Sequence, residues 1–375
     1  MKKILFRKLL SDYLTFFFIA LISTSIVIWV FQAVNFLDIM IEDGRDYLVY
    51  INFSLLNFPK ILSKVFPFAL FFSLFYVTIK AELNNELIIL WNFGIHKLKV
   101  IKFILQVSIT LLIIQIILTA FIVPKSQDIA RSFLRSSTVN FFDNFIKPQK
   151  FNDTIKGVTI YSDKKDKFGN LTNLYLKKEI NFNEFQITYA KKGEFKQFGN
   201  SPILVLYEGA TITSKDDEIT NISFSKSDFS LANIETNTTT YKKTQEISSL
   251  KLFLCIKNFY KFNKKEFEMN VKNIENCSYQ NMQNIIKELY KRFIIPFYIP
   301  LLSLIPFLLI TTSKENSDYS KIRIITFLTG LIVIIFSETT IRLISQISIY
   351  DVSIMGTPII LLSLLYAFLL SKFNV

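Results

Sequence analysis

The chain has 375 residues, 51% of them hydrophobic, with a mean hydropathy of +0.36 and a formal net charge of +13. A soluble chain of this length spreads its apolar residues over one or two cores. Here they form runs long enough for a helix to cross the ~30 Å hydrocarbon layer, which takes about 20 residues. Nine Gly and nine Pro exclude a collagen-like or low-complexity chain, and two Cys with one His leave no ligand set for a structural zinc site. The basic residues gather at the ends of the apolar runs, which membrane orientation explains better than nucleic-acid binding.

The first run is Leu14–Phe31, preceded by Lys2, Lys3, Arg7 and Lys8. It exceeds a signal-peptide core and no small-x-small cleavage site follows. It therefore reads as a retained span, with Met1–Leu10 as a short basic helix on the membrane surface. Ile61–Ile79 is the second run and Ile101–Val123 the third, closed by Pro124. Hydropathy then collapses through the middle of the chain and returns in Phe293–Thr311, Ile322–Ile341 and Met355–Leu370. The expected fold is an α-helical membrane protein of six transmembrane helices, three and three, around one large insert.

Lys and Arg in short loops set orientation. The N-terminus, the Lys80–Lys102 connector, the loop with Lys314, Lys321 and Arg323, and the tail with Lys372 belong to one side. Asp38, Glu42, Asp43, Asp46 and Asp351 lie on the other, with Arg45 nearly alone among them. Lys60 and Lys64 depart from this pattern and read as side chains snorkelling to headgroups. Both termini are thus expected in the cytoplasm and the insert Pro124–Tyr290 outside it.

The insert alternates with a period of two in Ile155–Tyr161, Leu174–Leu176, Phe185–Tyr189, Ile203–Tyr207 and Ile219–Phe229, the signature of half-buried strands. Polar turn clusters at Asp163–Asn170, Phe198–Pro202 and Ser214–Glu218 separate them, and Thr236–Thr240 reads as a loop. An all-β sandwich, barrel or jelly roll is expected. Cys255 and Cys277 both fall in this exported region, where a disulfide is chemically permitted; two separate thiols are the alternative.

Catalytic chemistry is scarce. The single His96 sits in the basic connector, which makes a catalytic triad improbable. Neither G-x-x-x-x-G-K-[ST] nor G-x-G-x-x-G occurs, so this chain is not expected to hydrolyse ATP through a P-loop, and any uphill work draws on a partner or an ion gradient. No cofactor or metal is expected. Glu338 and Arg342 stand four apart late in the fifth run and can neutralise each other; alternatively Arg342 offers its charge to an anionic headgroup. So few ionisable groups within spans argue against an ion-coupled carrier.

The connector Ala81–Leu98, AELNNELIILWNFGIHKL, has helical periodicity. Leu83, Leu87, Leu90 and Trp91 lie on one side and Glu82, Asn85, Glu86 and Asn92 towards the other, with Gly94 as a helix stop. It reads either as an interfacial helix or as a coupling helix that docks in a cytoplasmic ATPase.

Here the chain resembles the LptF/LptG (YjgP/YjgQ) permeases of the lipopolysaccharide export ABC transporter over essentially its whole length. Asn85–Gly94 is similar to the family's S/N-E-L-x-V-M-x-x-x-G stretch. Phe66-Pro67-Phe68-Ala69-Leu70, Val123-Pro124 and Glu288-Leu289-Tyr290-Lys291-Arg292-Phe293 match in order and place. Trp91 and Phe93 replace smaller family residues. Gly157–Tyr161, Gly169-Asn170-Leu171 and Leu174-Tyr175-Leu176 look more F-like than G-like.

The resemblance implies a bacterial inner-membrane permease with a periplasmic jelly-roll-like domain, organised as a membrane half 1–123 (coupling helix 81–98), a periplasmic domain 124–290 and a membrane half 291–375. Its implied partners are an LptB-like ATPase dimer, an LptG-like or LptF-like paralogue, an LptC-like bitopic protein and an LptA-like bridge, with lipopolysaccharide as substrate and no nucleic acid. Glu86, supported by Glu82, Leu87, Trp91 and Gly94, is the expected ATPase-coupling set. Arg131 and Arg135, four apart past the third run, are expected to meet headgroup phosphates or to anchor the interface. Gln32 and Asn35 are expected to meet lipid or neighbouring helices, and Arg342 to meet lipid. Another ABC-type lipid or lipoprotein export or efflux permease, or a non-transporting scaffold or sensor, are the competing classes.

Overall fold

The computed structural model describes residues 2–41, 47–136, 148–155, 158–166, 169–181, 184–198, 201–215, 218–230, 242–261, 274–312, 314–344 and 349–373. Glu42, Asp43, Arg45, Asp46, Gly157 and Thr236–Thr240 lie outside them, as do the side chains of Asp38, Arg135 and Asp351.

Helix α1 (Lys2–Ile41) is continuous. The separate surface helix expected over Met1–Leu10 is therefore corrected: neither Gly nor Pro interrupts the segment, and Leu9 is buried with Leu5 and Phe6 packed beside it. Helix α2 (Tyr47–Leu83) carries Pro59 and Pro67 internally. A short helix α3 (Glu86–Asn92) follows, then α4 (Lys97–Ile117).

The third run does not end at Pro124. A π turn over Leu118–Ile122 leads directly into α5 (Val123–Ser136). Pro lacks a backbone donor, which is harmless in the first turn of a helix, and the wider π turn restarts the hydrogen-bond register just ahead of it.

In the middle of the chain the described residues form one antiparallel sheet of six strands in sequential order: β1 (Asn152–Ile155), β2 (Val158–Lys165), β3 (Leu171–Asn181), β4 (Glu184–Phe198), β5 (Ser201–Lys215) and β6 (Glu218–Ser230). The crossover of a jelly roll is not among the described strands; they form a meander. Alternate residues Val158, Ile160, Leu174, Leu176, Leu204 and Leu206 are buried on one face, with Ile160 opposite Leu176 and Leu174 opposite Ala190. Period-two burial of this kind pins the register, because a one-residue slip would turn the apolar set to water. Gly193 and Gly209 occur where a Cβ would strike the Leu174 side chain and the Tyr189 carbonyl.

Helix α6 (Ser249–Lys261) is joined to Cys277 by a disulfide from the buried Cys255, so the bridged alternative holds over separate thiols. The fourth span alternates α7 (Met282–Phe293), a 3-10 turn, α8 (Tyr298–Leu304) and a second 3-10 stretch (Ile305–Thr311). Pro296, Pro300 and Pro306 remove donors at short intervals, which favours the tighter turns. Helices α9 (Tyr319–Leu343) and α10 (Ile349–Phe373) complete the fold.

Among the described residues, six segments are long and apolar enough to cross a membrane: Ile4–Leu37, Tyr47–Leu83, Lys97–Leu134, Tyr279–Thr311, Tyr319–Leu343 and Ser353–Phe373. The chain is a helical membrane protein with an inserted β domain.

By contacts the chain divides into two compact units. One comprises Met1–Val30, Asn57–Asp128 and Tyr241–Val375; the other comprises Phe31–Leu56 and Ile129–Thr240. The first has a core built from α1, α2, α4, α8 and α10 around Phe17, Leu70, Ile104, Ile299 and Phe307. Helix α9 meets α2 at Gly330, where a Cβ would overlap the Phe71 ring. The second unit holds the sheet and a small cluster of Phe36, Phe53, Ala130 and Leu134.

Candidate functional site

Two groups of polar side chains in the helical unit stand apart from ordinary core packing. The first is the α2–α4 connector. Helix α2 ends at Leu83, and Asn85 turns the chain in the left-handed region (φ 61°), a conformation Asn tolerates better than most residues. Helix α3 follows for seven residues, well short of the coupling helix expected over 81–98, whose first residues belong to α2 and whose last belong to α4. Gly94 (φ 68°) ends it with a backbone donation to the Trp91 carbonyl, and the His96 ring accepts from the Leu98 amide to cap α4.

The two faces of α3 differ sharply. Leu87 and Leu90 are buried in the helical core, as is Ile95 beyond the Gly94 turn. Ile88, Ile89 and Phe93 are 44–48% exposed, and Leu83 at the corner is 54% exposed. Glu86 begins α3, where a carboxylate complements the helix dipole, and its Oε2 lies 3.9 Å from Lys8 Nζ. An apolar patch with one carboxylate at its edge is therefore held outward by a buried face.

The connector is also fastened to the chain around the start of α9. Tyr319 Oη donates to Glu82 Oε2 at 3.1 Å, Lys314 Nζ donates to Asn85 Oδ1, and Lys97 Nζ donates to the Ile310 carbonyl at 2.9 Å. The Lys97 ammonium also lies over the Trp91 and Phe373 rings, 5.9 and 5.2 Å from their centroids.

The second group is a cleft of about 250 Å³ among α2, α4, α7 and α9, lined by Lys60, Lys64, Gln115, Lys291, Arg292 and Glu338 among others. Arg292 is 2% exposed. Its guanidinium donates from Nε to Glu288 Oε1 (3.0 Å), from Nη1 to the Ile247 carbonyl (2.8 Å) and Ser249 Oγ (3.0 Å), and from Nη2 to the Gln245 carbonyl (3.0 Å). A planar five-donor group is suited to this task, and so many partners offset the cost of burying the charge. Arg292 thus clasps the segment that begins with the 3-10 turn Thr244–Glu246 and leads into α6.

Lys60 Nζ reaches Gln245 Oε1 at 3.3 Å and Gln127 Oε1 at 3.5 Å. Gln115, 3% exposed, donates to the Ser63 carbonyl at 2.8 Å, while its Oε1 has no hydrogen-bond partner among the described residues. The cleft offers cations, the Glu288 and Glu338 carboxylates and the Gln115 acceptor oxygen. No group of His, Cys, Asp or Glu among the described residues is placed to hold a metal.

Of the residues singled out from sequence, Glu82, Glu86, Leu87, Trp91 and Gly94 come together in the connector: Leu87 is buried, Glu82, Glu86 and Trp91 are half-buried, and Gly94 is exposed. Gln32 (half-buried), Asn35 (exposed) and Arg131 (half-buried) belong to the unit that carries the sheet. Arg135 lies on α5 with its side chain outside the described residues. Arg342 is exposed in the last turn of α9, one turn beyond Glu338. The polar cleft went unrecognised in the sequence. Its signal there is two Lys at the start of an apolar run and a Gln in the middle of another.

Residues 7–372 match the family described as lipopolysaccharide export system permease LptF/LptG. An uncharacterized protein of Rickettsia prowazekii (strain Madrid E) is 24% identical over 208 residues, 55% of this chain; the match spans 57% of that relative's own length.

Proposed function

Because this chain belongs to the LptF/LptG permease family, we propose that it is a transmembrane subunit of an ABC-type exporter that extracts lipopolysaccharide from the inner membrane and passes it to a periplasmic bridge. The observation that carries this reading is α3, with Leu87 and Leu90 locked in the core and Ile88, Ile89 and Phe93 presented outward beside Glu86. An apolar knob with a peripheral carboxylate fits a cleft on a nucleotide-hydrolysing partner, the carboxylate accepting from Arg or backbone donors at the rim. Closure of an LptB-like ATPase dimer on this knob moves the helices to which it is anchored.

The connector and both termini then face the cytoplasm and the β domain the periplasm. The Cys255–Cys277 bridge suits an oxidising compartment on that side. Lys60, Lys64 and Lys291 around the cleft attract the phosphorylated headgroup of an anionic lipid, while acyl chains stay against apolar helix faces. The sheet's apolar face shields acyl chains on their way through water, and its outermost strand β6, with Ile219 and Ile222 exposed, suits strand addition by an LptC-like or LptA-like β protein. A paralogous permease completes the pathway, this chain taking the F-type place. Arg131, Arg135, Gln32, Asn35 and Arg342 are the further proposed lipid contacts.

Co-expression with the paralogue and an LptB-like ATPase, followed by reconstitution in lipopolysaccharide-containing vesicles, tests the reading. The expected result is ATP-dependent release of lipopolysaccharide to an LptA-like acceptor. Stable assembly with no release on ATP addition would reject it.

A further inference from the structure

The ties between the connector and the start of α9 have no part in the proposed docking, yet they span every piece of the connector. Glu82 lies in the last turn of α2, Asn85 forms the corner before α3, and Lys97 opens α4. Each is bonded to a different point of the fourth-span-to-α9 hairpin: Tyr319, Lys314 and the Ile310 carbonyl. Tyr319 is 6% exposed and is the first residue of α9. Phenol to carboxylate is a directional, charge-assisted bond, so it resists sliding as well as separation.

Helix α9 is suited to transmit displacement. It has 25 residues without Pro, and Gly330 seats it directly on the Phe71 ring. Phe327 lies 5.4 Å from Phe75 and 5.8 Å from Phe72, centroid to centroid. From Tyr319 to Glu338, which lines the cleft, is roughly 28 Å at helical rise.

We propose that Tyr319 and Lys314 are positioning residues of the coupling machinery: their bonds to Glu82 and Asn85 make the α3 corner and the head of α9 move together. Displacement of α3 is then delivered along α9 to Glu338 and the cleft. This rests on the reading of α3 as the ATPase-driven element.

The test uses the assembled complex with its ATPase. Tyr319→Phe keeps the buried ring and removes the hydroxyl. The expected result is near-normal ATP hydrolysis with lipid released per ATP lowered about tenfold or more, the scale of one charge-assisted bond. Glu82→Ala should give the same loss, the double variant should be no worse than either single one, and Glu82→Gln, which keeps an acceptor oxygen, should restore most coupling. A merely structural role would instead lower the melting temperature and reduce hydrolysis and release together. An unchanged release-to-hydrolysis ratio in Tyr319→Phe, or additive losses in the double variant, overturns the proposal. If Tyr319→Phe does not assemble, Glu82→Ala carries the test from the other end of the bond.

A spin label at Ile335→Cys, on the exposed face of α9, separates this proposal from the permease reading. If the wild-type complex releases no lipid, that reading fails. The tie still stands if ATP shifts the label in wild type and not in Tyr319→Phe. It falls if both shift alike or neither shifts.

Discussion

Glu86 Oε2 lies 3.9 Å from Lys8 Nζ across an ion pair whose side chains are 38% and 65% exposed, so the first turn of α3 faces the first turns of α1. An exposed pair at this separation contributes roughly 0–1 kcal/mol to stability. Glu86→Ala and Glu86→Lys should therefore leave the melting temperature of the purified permease within about 2 °C of wild type. Both should nevertheless uncouple ATP hydrolysis from lipid release, Glu86→Lys more severely. Unchanged export in vesicles would return Glu86 to the role of a solvated carboxylate.

Leu90, 5% exposed, anchors the side of α3 opposite Ile88 and Ile89. Leu90→Ala removes a buried side chain and should cost about 2–5 kcal/mol locally. Protease accessibility of the connector should rise more than that of the sheet. Ile89→Ser, on the exposed face, should leave protection intact and weaken ATPase binding instead.

At Gly330 even a methyl group would overlap the Phe71 ring. Gly330→Ala should destabilise the α2–α9 contact by about 1–3 kcal/mol, and Gly330→Leu should prevent that packing. Phe71→Leu in the Gly330→Ala background should recover part of the loss. Thermal unfolding of the detergent-purified chain measures both.

Arg292 holds the segment Gln245–Ser249 through three hydrogen bonds besides its Glu288 pair. Arg292→Met leaves Glu288 and two backbone carbonyls without this partner and should cost about 3–5 kcal/mol. Reducing the Cys255–Cys277 bridge should make the same region easier to open. Hydrogen exchange in α6 reports each effect, and the two together should exceed either alone.

Arg131 carries a proposed headgroup contact. Arg131→Glu should reduce photo-crosslinking of lipopolysaccharide to the chain, with Arg131→Lys intermediate because an ammonium keeps the charge but loses the fork of donors. Crosslinking at the wild-type level would identify it as an interface anchor.

The spans and strands were legible because hydropathy runs and period-two alternation are local properties, whereas helix α6 lies inside the insert 124–290 that was expected to be all-β. The apolar runs lie within the six spans, and each alternating stretch overlaps a strand. The misplacements have local reasons as well. Basic residues suggested a separate surface helix, but Leu5, Phe6 and Leu9 find partners in the core and keep α1 continuous. Pro124 suggested a stop, but the π turn before it lets the helix continue.

The connector residues were recognisable since they are contiguous. The cleft was not, because Lys60, Gln115, Gln245, Glu288 and Glu338 are spread over most of the chain and only tertiary packing gathers them. The Tyr319–Glu82 tie was hidden for the same reason, its partners being 237 residues apart.

The most direct measurement places a photo-reactive amino acid at Ile89, on the exposed face of α3, in cells that carry the exporter. The expected result is an adduct with an ATPase carrying a P-loop, strengthened when nucleotide is trapped and lost when Glu86→Lys is added. Adducts only with lipid or with periplasmic proteins would contradict it.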